Sequence, residues 1–599
     1  MAKELLKRED VRVEDTWKVE DMYATVEDWE KDLEAMKSLT EKIVGMEGKV
    51  AESAENLFQV LEWNAQFGEK LDLAYNYAER LFDQDQKNTK HQAMSAKVMS
   101  LYAQASGKVA FVEPEIIEME EETLEAFYQA KPELELYRGQ INEFRRLKAH
   151  SLSAELEKLM AQTTEMSQVA SDTFSILNNA DFQFPEMQDE NGETIRITHG
   201  RYGTLMECPD RRVRKEAFEK MYSVYRQFNN TLASLYNGQV KTQIFNATAR
   251  KYDSTLEAAV DANNVSPEVY RNLVKTVDEH LDLLHRYVRL RKKCLGVDEL
   301  HMYDVYTPMI EGVAKKIPFE EAKATVLKAL APLGEDYLAK LREGFENRWI
   351  DVYENEGKRS GAYSAGAYGT HPYVLLNHTD SLDSMFTLAH EMGHALHSCY
   401  SNENQPFIYA NYKIFVAEVA STTNEILLME YLLKTTNDRK ERIYLLNHYL
   451  DSFKGTVFRQ TQFAEFEMRS NALCESGESL NAQNLDDMYY ELNKKYYGPD
   501  MISDEEIAYE WSRIPHFYYN FYVYQYATSF SASVAIAKAI LSEGAPAVER
   551  YKKFLSGGCS KAPVELLKIA GVNMETPEPI EAAMKAFEGI LDEIEKLVG

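Results

Sequence analysis

The segment His390-Glu391-Met392-Gly393-His394 restricts this chain more than any other five residues. At roughly 100° per residue on a helix, the two histidines lie about 40° apart, while Met385, Leu388, Ala389, Met392 and Leu396 gather on the opposite side. Such a helix has an apolar back and an imidazole front. Its back has to be buried, and its front has to face something that imidazoles bind. Asp380 or Ser381 can cap its start, and Asp383 falls in the first turn, where the helix dipole favours negative charge. Histidines four apart with a glutamate behind the first form the pattern of a zinc-hydrolase helix.

One helix offers zinc two ligands at this spacing, and a catalytic site takes a third from elsewhere while keeping a fourth position for water. His397 continues the face but lies about 10 Å of helix rise beyond His390, too far to share a metal with bonds of about 2 Å. It reads as a buried histidine behind the site. Glu418 is better placed, in Phe415-Val416-Ala417-Glu418-Val419-Ala420-Ser421. That stretch opens a second expected helix, running to about Leu433, which can fold back antiparallel after the loop Ser401 to Pro406. Glu425, two turns beyond Glu418, either hydrogen-bonds a ligand imidazole and fixes its tautomer or is a solvated helix carboxylate. Glu391 is not spaced to ligate beside its neighbours, but it can reach a metal-activated water, take its proton and later deliver it to a leaving amine. That is a peptidase assignment.

Acyl transfer also needs a donor to the developing oxyanion. Between His516 and Tyr526 one histidine and five tyrosines fall within eleven residues. Phenols and correctly tautomerised imidazoles are such donors. The competing reading is an aromatic helix buried in a core, with hydroxyls reaching its rim.

The chain resembles oligoendopeptidase F, within the thimet oligopeptidase group of zinc peptidases. The matching residues are Phe386 to His397, Phe415 to Ser421, Tyr496-Tyr497-Gly498-Pro499-Asp500, the segment His516 to Ser533, and Trp17, Asp21 and Tyr23 near the start. The resemblance implies one zinc on His390, His394 and Glu418, with Glu391 as general base. It further implies that His516 and Tyr526 bind the substrate carbonyl and its oxyanion. Tyr522 is the candidate for a second tyrosine, although the spacing after the histidine is shorter here than in the thimet-type branch and leaves open which second tyrosine faces the metal.

The formal net charge of −30, from 67 basic against 97 acidic residues, argues against nucleic acid as a partner, because phosphate binding depends on lysine and arginine clusters. Charges occupy the first eight residues, where a signal peptide needs an apolar core, and no run of about 18 apolar residues occurs, so no membrane association and a cytoplasmic location are expected. Five scattered cysteines without a Cys-x-x-Cys fit neither a disulfide framework nor a thiolate metal site.

With 16 Pro and 27 Gly in 599 residues, the chain is expected to be mainly α. Long amphipathic helices are expected through residue 180, including Thr25 to Val44 and Ser153 to Asn179. Asp181 to Thr198 carries a β-hairpin pattern with Asn191-Gly192 at its turn. Gly361 to Asn377 suggests a short sheet beside the zinc helix, with an edge able to pair with an extended peptide. The organisation expected is an N-terminal helical region, 1–200, and a catalytic region, 201–599, enclosing a deep substrate cleft. The function that the resemblance implies is a zinc endopeptidase acting on short peptides. Two rivals remain: a dipeptidyl carboxypeptidase-like exopeptidase, which would use Arg459, Arg469 or Arg513 to receive a substrate's C-terminal carboxylate, and an inactive metal-bearing peptide-binding protein. Oligomeric state leaves no trace in the sequence.

Overall fold

The computed structural model describes residues 5–310 and 316–599. They are overwhelmingly helical, with one three-stranded and two two-stranded sheets. The mainly α expectation therefore holds. The chain divides into two compact units: Met1–Ala149 with Lys315–Leu428 and Ile536–Gly571, and His150–Ala314 with Met429–Ala535 and Val572–Gly599.

In the first unit, the helices Val26–Val44, Ala54–Asp83 and Thr89–Val109 pack on one another. Each begins where a short polar side chain replaces a missing backbone partner: Thr25 accepts from the Asp28 amide, Ser53 from Asn56, and Asn88 from Lys90. Their inward faces bury Trp29, Leu33, Met36, Ala74, Tyr77, Val98 and Ala105, with Trp17 added from the N-terminal segment. Tyr373 and Leu375 join the same core from the strand Tyr373–Leu375. That strand is central in its sheet, parallel to Ile350–Asp351 and antiparallel to Tyr363–Ala365. Tyr363–Ala365 is thus an edge, as the segment from Gly361 to Asn377 suggested. The sheet lies against the helix Leu382–Asn404, and just past the edge strand an added Cβ on Gly366 would meet the Ser398 Cβ at 3.4 Å.

The second unit is built on helices that include Asn229–Ala249, Leu281–Leu295, Arg459–Glu475 and Glu578–Val598. Glu186–Gln188 and Thr194–Arg196 form the expected antiparallel hairpin, in the register Glu186 with Arg196. Its turn is closed by Asp189, whose carboxylate accepts from the Asn191 and Glu193 amides, and Gly192 takes φ +80°. Among the described residues no helix is long and apolar enough to cross a membrane, and all five cysteines are unpaired.

Candidate metal centre

The helix Leu382–Asn404 is capped by Ser381, whose hydroxyl accepts from the Ser384 amide, while Asp380, at φ +54°, stands outside it. Its apolar back is fully buried: Met385, Leu388, Ala389, Met392 and Leu396 are each at most 1% exposed. His390 and His394 are left half-buried on the other side. The helix Ile414–Thr435 runs antiparallel to it, with the Asn424 side-chain amide donating to the Ala389 carbonyl at 3.1 Å and Gly393 packed on Ala420 and Ser421.

This crossing brings three donor atoms together. His390 Nε2 lies 3.2 Å from His394 Nε2 and 3.3 Å from Glu418 Oε2, and His394 Nε2 lies 3.4 Å from the same oxygen. For a tetrahedral ion with bonds of about 2 Å the distance between neighbouring ligand atoms is about 3.3 Å. The three atoms therefore have the spacing of one face of a tetrahedral site, and among the described residues they form the only grouping of metal-ligand type.

Their chemistry fits as well as their spacing. The Nδ1–H of His390 donates to Glu425, so the ring's lone pair in its neutral form is on Nε2, pointed at the carboxylate oxygen of Glu418. Two lone pairs facing each other repel unless a cation lies between them. Burial works against charge on His390, but the hydrogen bonds that its protonated ring donates to Glu418 and then Glu425 outweigh it and hold the ring well above the usual imidazole range. Glu418 is pulled the other way: burial raises it, yet hydrogen bonds to His390 and His394 bring it well below the usual carboxylate range. Two imidazole nitrogens and a carboxylate oxygen at this spacing suit a divalent cation, whose binding releases any proton that the ligands hold.

Glu391 is 6% exposed, and its Oε2 has no hydrogen-bond partner among the described residues. Burial raises its pKa, with the charges of His390 and His394 acting in the opposite sense. It is a basic carboxylate next to the triad and outside it. His397 is 1% exposed and stacks on Tyr412, with ring centroids 3.7 Å apart and planes at 4°. It forms no part of the three-atom cluster.

In the second unit, His516 meets three tyrosines. Its Nε2 is 3.5 Å from the Tyr526 hydroxyl, its ring stacks at 6.2 Å on Tyr522, and Tyr519 lies edge-on at 5.5 Å. Burial lowers the His516 pKa, which favours the neutral ring. Tyr524 goes elsewhere, 2% exposed and packed at 4.9 Å on Tyr270. The segment is not the continuous aromatic helix that was one of its two readings. A short 3-10 turn, Pro515–Tyr518, is followed by a bend in which Asn520 and Phe521 take φ +53° and +55°, and a new helix starts at Tyr524. These two left-handed residues lie between His516 and Tyr526, which meet although ten residues separate them. Pro515 and Asn520 are the only sequence signs of the break, since proline starts turns and asparagine tolerates the left-handed region.

The arginines proposed as carboxylate receptors are engaged in different ways. Arg459 is paired with Glu510 at 2.7 Å and Arg469 with Glu465, whereas Arg513 lies over the rings of Tyr202 and Tyr222 at 4.8 and 6.0 Å.

Residues 204–586 match the family described as peptidase family M3, and residues 115–184 match the family described as oligopeptidase F. The chain is 50% identical over 597 residues to oligopeptidase PepF of Bacillus subtilis, covering 100% of this chain and 89% of that protein. The crystal structure of oligoendopeptidase-F from Enterococcus faecium is 42% identical, with a TM-score of 0.75 over 96% of this chain and 99% of the other. A solved structure from Chlamydophila abortus is 34% identical, with a TM-score of 0.92 over 99% of this chain and all of the other.

Proposed function

The chain belongs to peptidase family M3, in its oligoendopeptidase F group, and from this premise we propose that it is a zinc-dependent endopeptidase cutting internal bonds of short peptides. The observation that carries the reading is the convergence of His390 Nε2, His394 Nε2 and Glu418 Oε2 at tetrahedral spacing beside the buried, unpartnered oxygen of Glu391. His390, His394 and Glu418 are proposed to hold one zinc, with Glu425 fixing the His390 tautomer from behind. Zinc, when bound, supplies a Lewis acid that acidifies a water and polarises a carbonyl.

Glu391 takes the proton from the attacking water and passes it to the departing amine nitrogen as the C–N bond breaks. Its burial suits both halves of this exchange, because a raised carboxyl pKa makes the carboxylate a better base and its acid a better holder of the proton. His516 and Tyr526 are proposed to donate to the substrate carbonyl and its oxyanion, with Tyr522 as the second phenol. The edge strand Tyr363–Ala365 is proposed to pair with an extended peptide through backbone hydrogen bonds, which would recognise a main chain with little regard to side chains. An endopeptidase is favoured over an exopeptidase because two of the three candidate receptor arginines are already held by Glu510 and Glu465. The intact Glu391 speaks against an inactive peptide binder. A cytoplasmic location is proposed with the function, supported by five cysteines that are all unpaired.

Metal analysis joined to peptide hydrolysis tests the assignment. Glu418→Ala is expected to lose metal and activity, His397→Ala to keep its metal, and Glu391→Gln to keep its metal while losing nearly all turnover. Substantial hydrolysis by metal-loaded Glu391→Gln at saturating peptide would remove Glu391 as the base.

A further inference from the structure

Glu467, in the helix Arg459–Glu475, is completely buried. A carboxyl group at this depth is costly unless something binds it. Its Oε1 accepts the Phe521 backbone N–H at 2.6 Å, and its Oε2, also buried, has no hydrogen-bond partner among the described residues. The nearby hydroxyls are engaged elsewhere: Tyr236 with the Ser470 hydroxyl at 2.8 Å, and Tyr270 with the Ala464 carbonyl at 2.7 Å. Burial holds the Glu467 carboxyl up to about 8, the Phe521 amide acting against that rise. Near neutral pH the group is therefore largely an uncharged acid whose carbonyl oxygen receives the amide.

The amide it holds belongs to the bend. Asn520 and Phe521 are consecutive non-glycine residues at φ +53° and +55°, a conformation that L side chains avoid and that persists only where the surroundings impose it. Two contacts impose it here. The Phe521 ring is 2% exposed and lies edge-on to Tyr270 at 5.7 Å, and the Phe521 amide is clamped by Glu467. The ring contact fixes where the bend lies. The amide contact fixes how the peptide plane is turned, and with it the direction in which the chain leaves toward Tyr522 and Tyr526.

We propose that Glu467 is a positioning residue that clamps the Phe521 amide, fixes the left-handed Asn520-Phe521 bend, and thereby sets His516 against Tyr522 and Tyr526. This rests on the reading of His516 and Tyr526 as the donors to the reacting carbonyl.

The test uses full-length, zinc-loaded protein and reads kcat, KM, zinc content and Tm. Glu467→Gln keeps an uncharged acceptor of the same shape and is expected to stay near the wild type. Glu467→Leu removes the acceptor and is expected to lower kcat about tenfold or more with KM and zinc content unchanged, since small misplacements of reacting groups have effects of this size. Combined with Tyr526→Phe, it should add little further loss, because both changes act through one contact. Should Glu467→Leu fail to fold, Asn520→Val disturbs the same bend from an exposed position, and the same fall in kcat is expected. Wild-type turnover in a folded Glu467→Leu or Asn520→Val protein overturns the proposal, as do losses that multiply with Tyr526→Phe. If Tyr526→Phe and His516→Ala both turn over normally while Glu467→Leu does not, the donor reading itself has failed and the positioning role falls with it.

Discussion

Gly393 lies so close to Ser421 that a Cβ on the glycine would be 2.5 Å from the Ser421 Cα, and only 2.8 Å from the Ala420 carbonyl oxygen and the Ser421 nitrogen. All three obstacles are backbone atoms, so none can turn aside. This explains a glycine in mid-helix, where it costs about 1 kcal/mol relative to alanine. The close crossing brings Glu418 within reach of both imidazoles. Without it the two helices would stand further apart and the three ligand atoms would lose their spacing.

Gly393→Ala should therefore destabilise the protein, by about 1–3 kcal/mol as in other overpacked cores, although alanine is the better helix former. It should also weaken metal binding. Calorimetry with and without added zinc separates the two effects, the second appearing as a smaller rise of Tm on adding metal. An unchanged metal-dependent rise would mean that the ligand spacing does not depend on this contact.

Glu425 binds the back of His390 while Glu418 binds its front, the two carboxylates standing two turns apart on one helix. Removing the rear partner frees the ring to rotate and to change tautomer. Glu425→Ala is expected to weaken zinc affinity by about 10- to 100-fold. Glu425→Gln keeps an oxygen that accepts the Nδ1–H and should lose much less. Competition with a chelator of known affinity measures both, and equal losses in the two variants would assign the effect to charge instead of tautomer.

How much of this was legible in the sequence depended on the range of the contact that determines it. The cap at Ser381, the apolar back of the helix Leu382–Asn404 and the hairpin at Asn191-Gly192 follow from neighbours a few residues apart. Glu418 was legible because a single antiparallel pairing relates it to His390, whereas Glu425, two turns on, stayed open between a partner of the imidazole and a solvated carboxylate. Gly393 was visible as a residue but not as a contact, since its reason lies on another helix. The bend at Asn520-Phe521 left almost no trace, because the sign of φ is not written in the pattern of side-chain polarity and the phenylalanine would fit a helix equally well. Glu467 was silent for a related cause: an acid in a helix is ordinarily solvated, and only the packing of Phe521 and Tyr270 shows that this one is not. The strand Ile350–Asp351 is too short for any alternation to show.

The buried ring of His397 makes the protein sensitive to acid. Burial, with a smaller contribution from His394, brings its pKa down to about 3, against about 6.5 in an unfolded chain. Between these values the unfolded chain holds a proton that the folded one does not, so stability rises with pH across that window, by at most about 1.4 kcal/mol per unit. As pH falls from 6.5 toward 3 the loss accumulates, and below 3 both states are protonated and it is complete. His397→Phe keeps an aromatic ring against Tyr412 and removes the titration. In chelator-treated protein, urea unfolding at pH 7 and pH 5 should show a smaller drop for this variant than for the wild type. Equal drops would mean that His397 is already charged in the folded protein.

Tyr526 and Tyr524 differ by two residues and by environment. Tyr526 is half-buried with its hydroxyl 3.5 Å from His516 Nε2, whereas Tyr524 is 2% exposed against Tyr270. A phenol that donates chiefly to the oxyanion contributes little before charge develops, so Tyr526→Phe should lower kcat and leave KM nearly unchanged. Losing one such donor costs on the order of 3 kcal/mol, roughly a hundredfold in rate. His516→Ala should slow turnover comparably and raise KM as well if its ring already holds the ground-state carbonyl. Tyr524→Phe removes a hydroxyl from a packed interior and should change stability more than rate. Steady-state kinetics on a fluorogenic peptide, with zinc content checked for each variant, decides between the two tyrosines. Near wild-type turnover in Tyr526→Phe beside a crippled, fully folded Tyr524→Phe would move the oxyanion donor into the interior position and reverse the roles assigned on either side of Gln525.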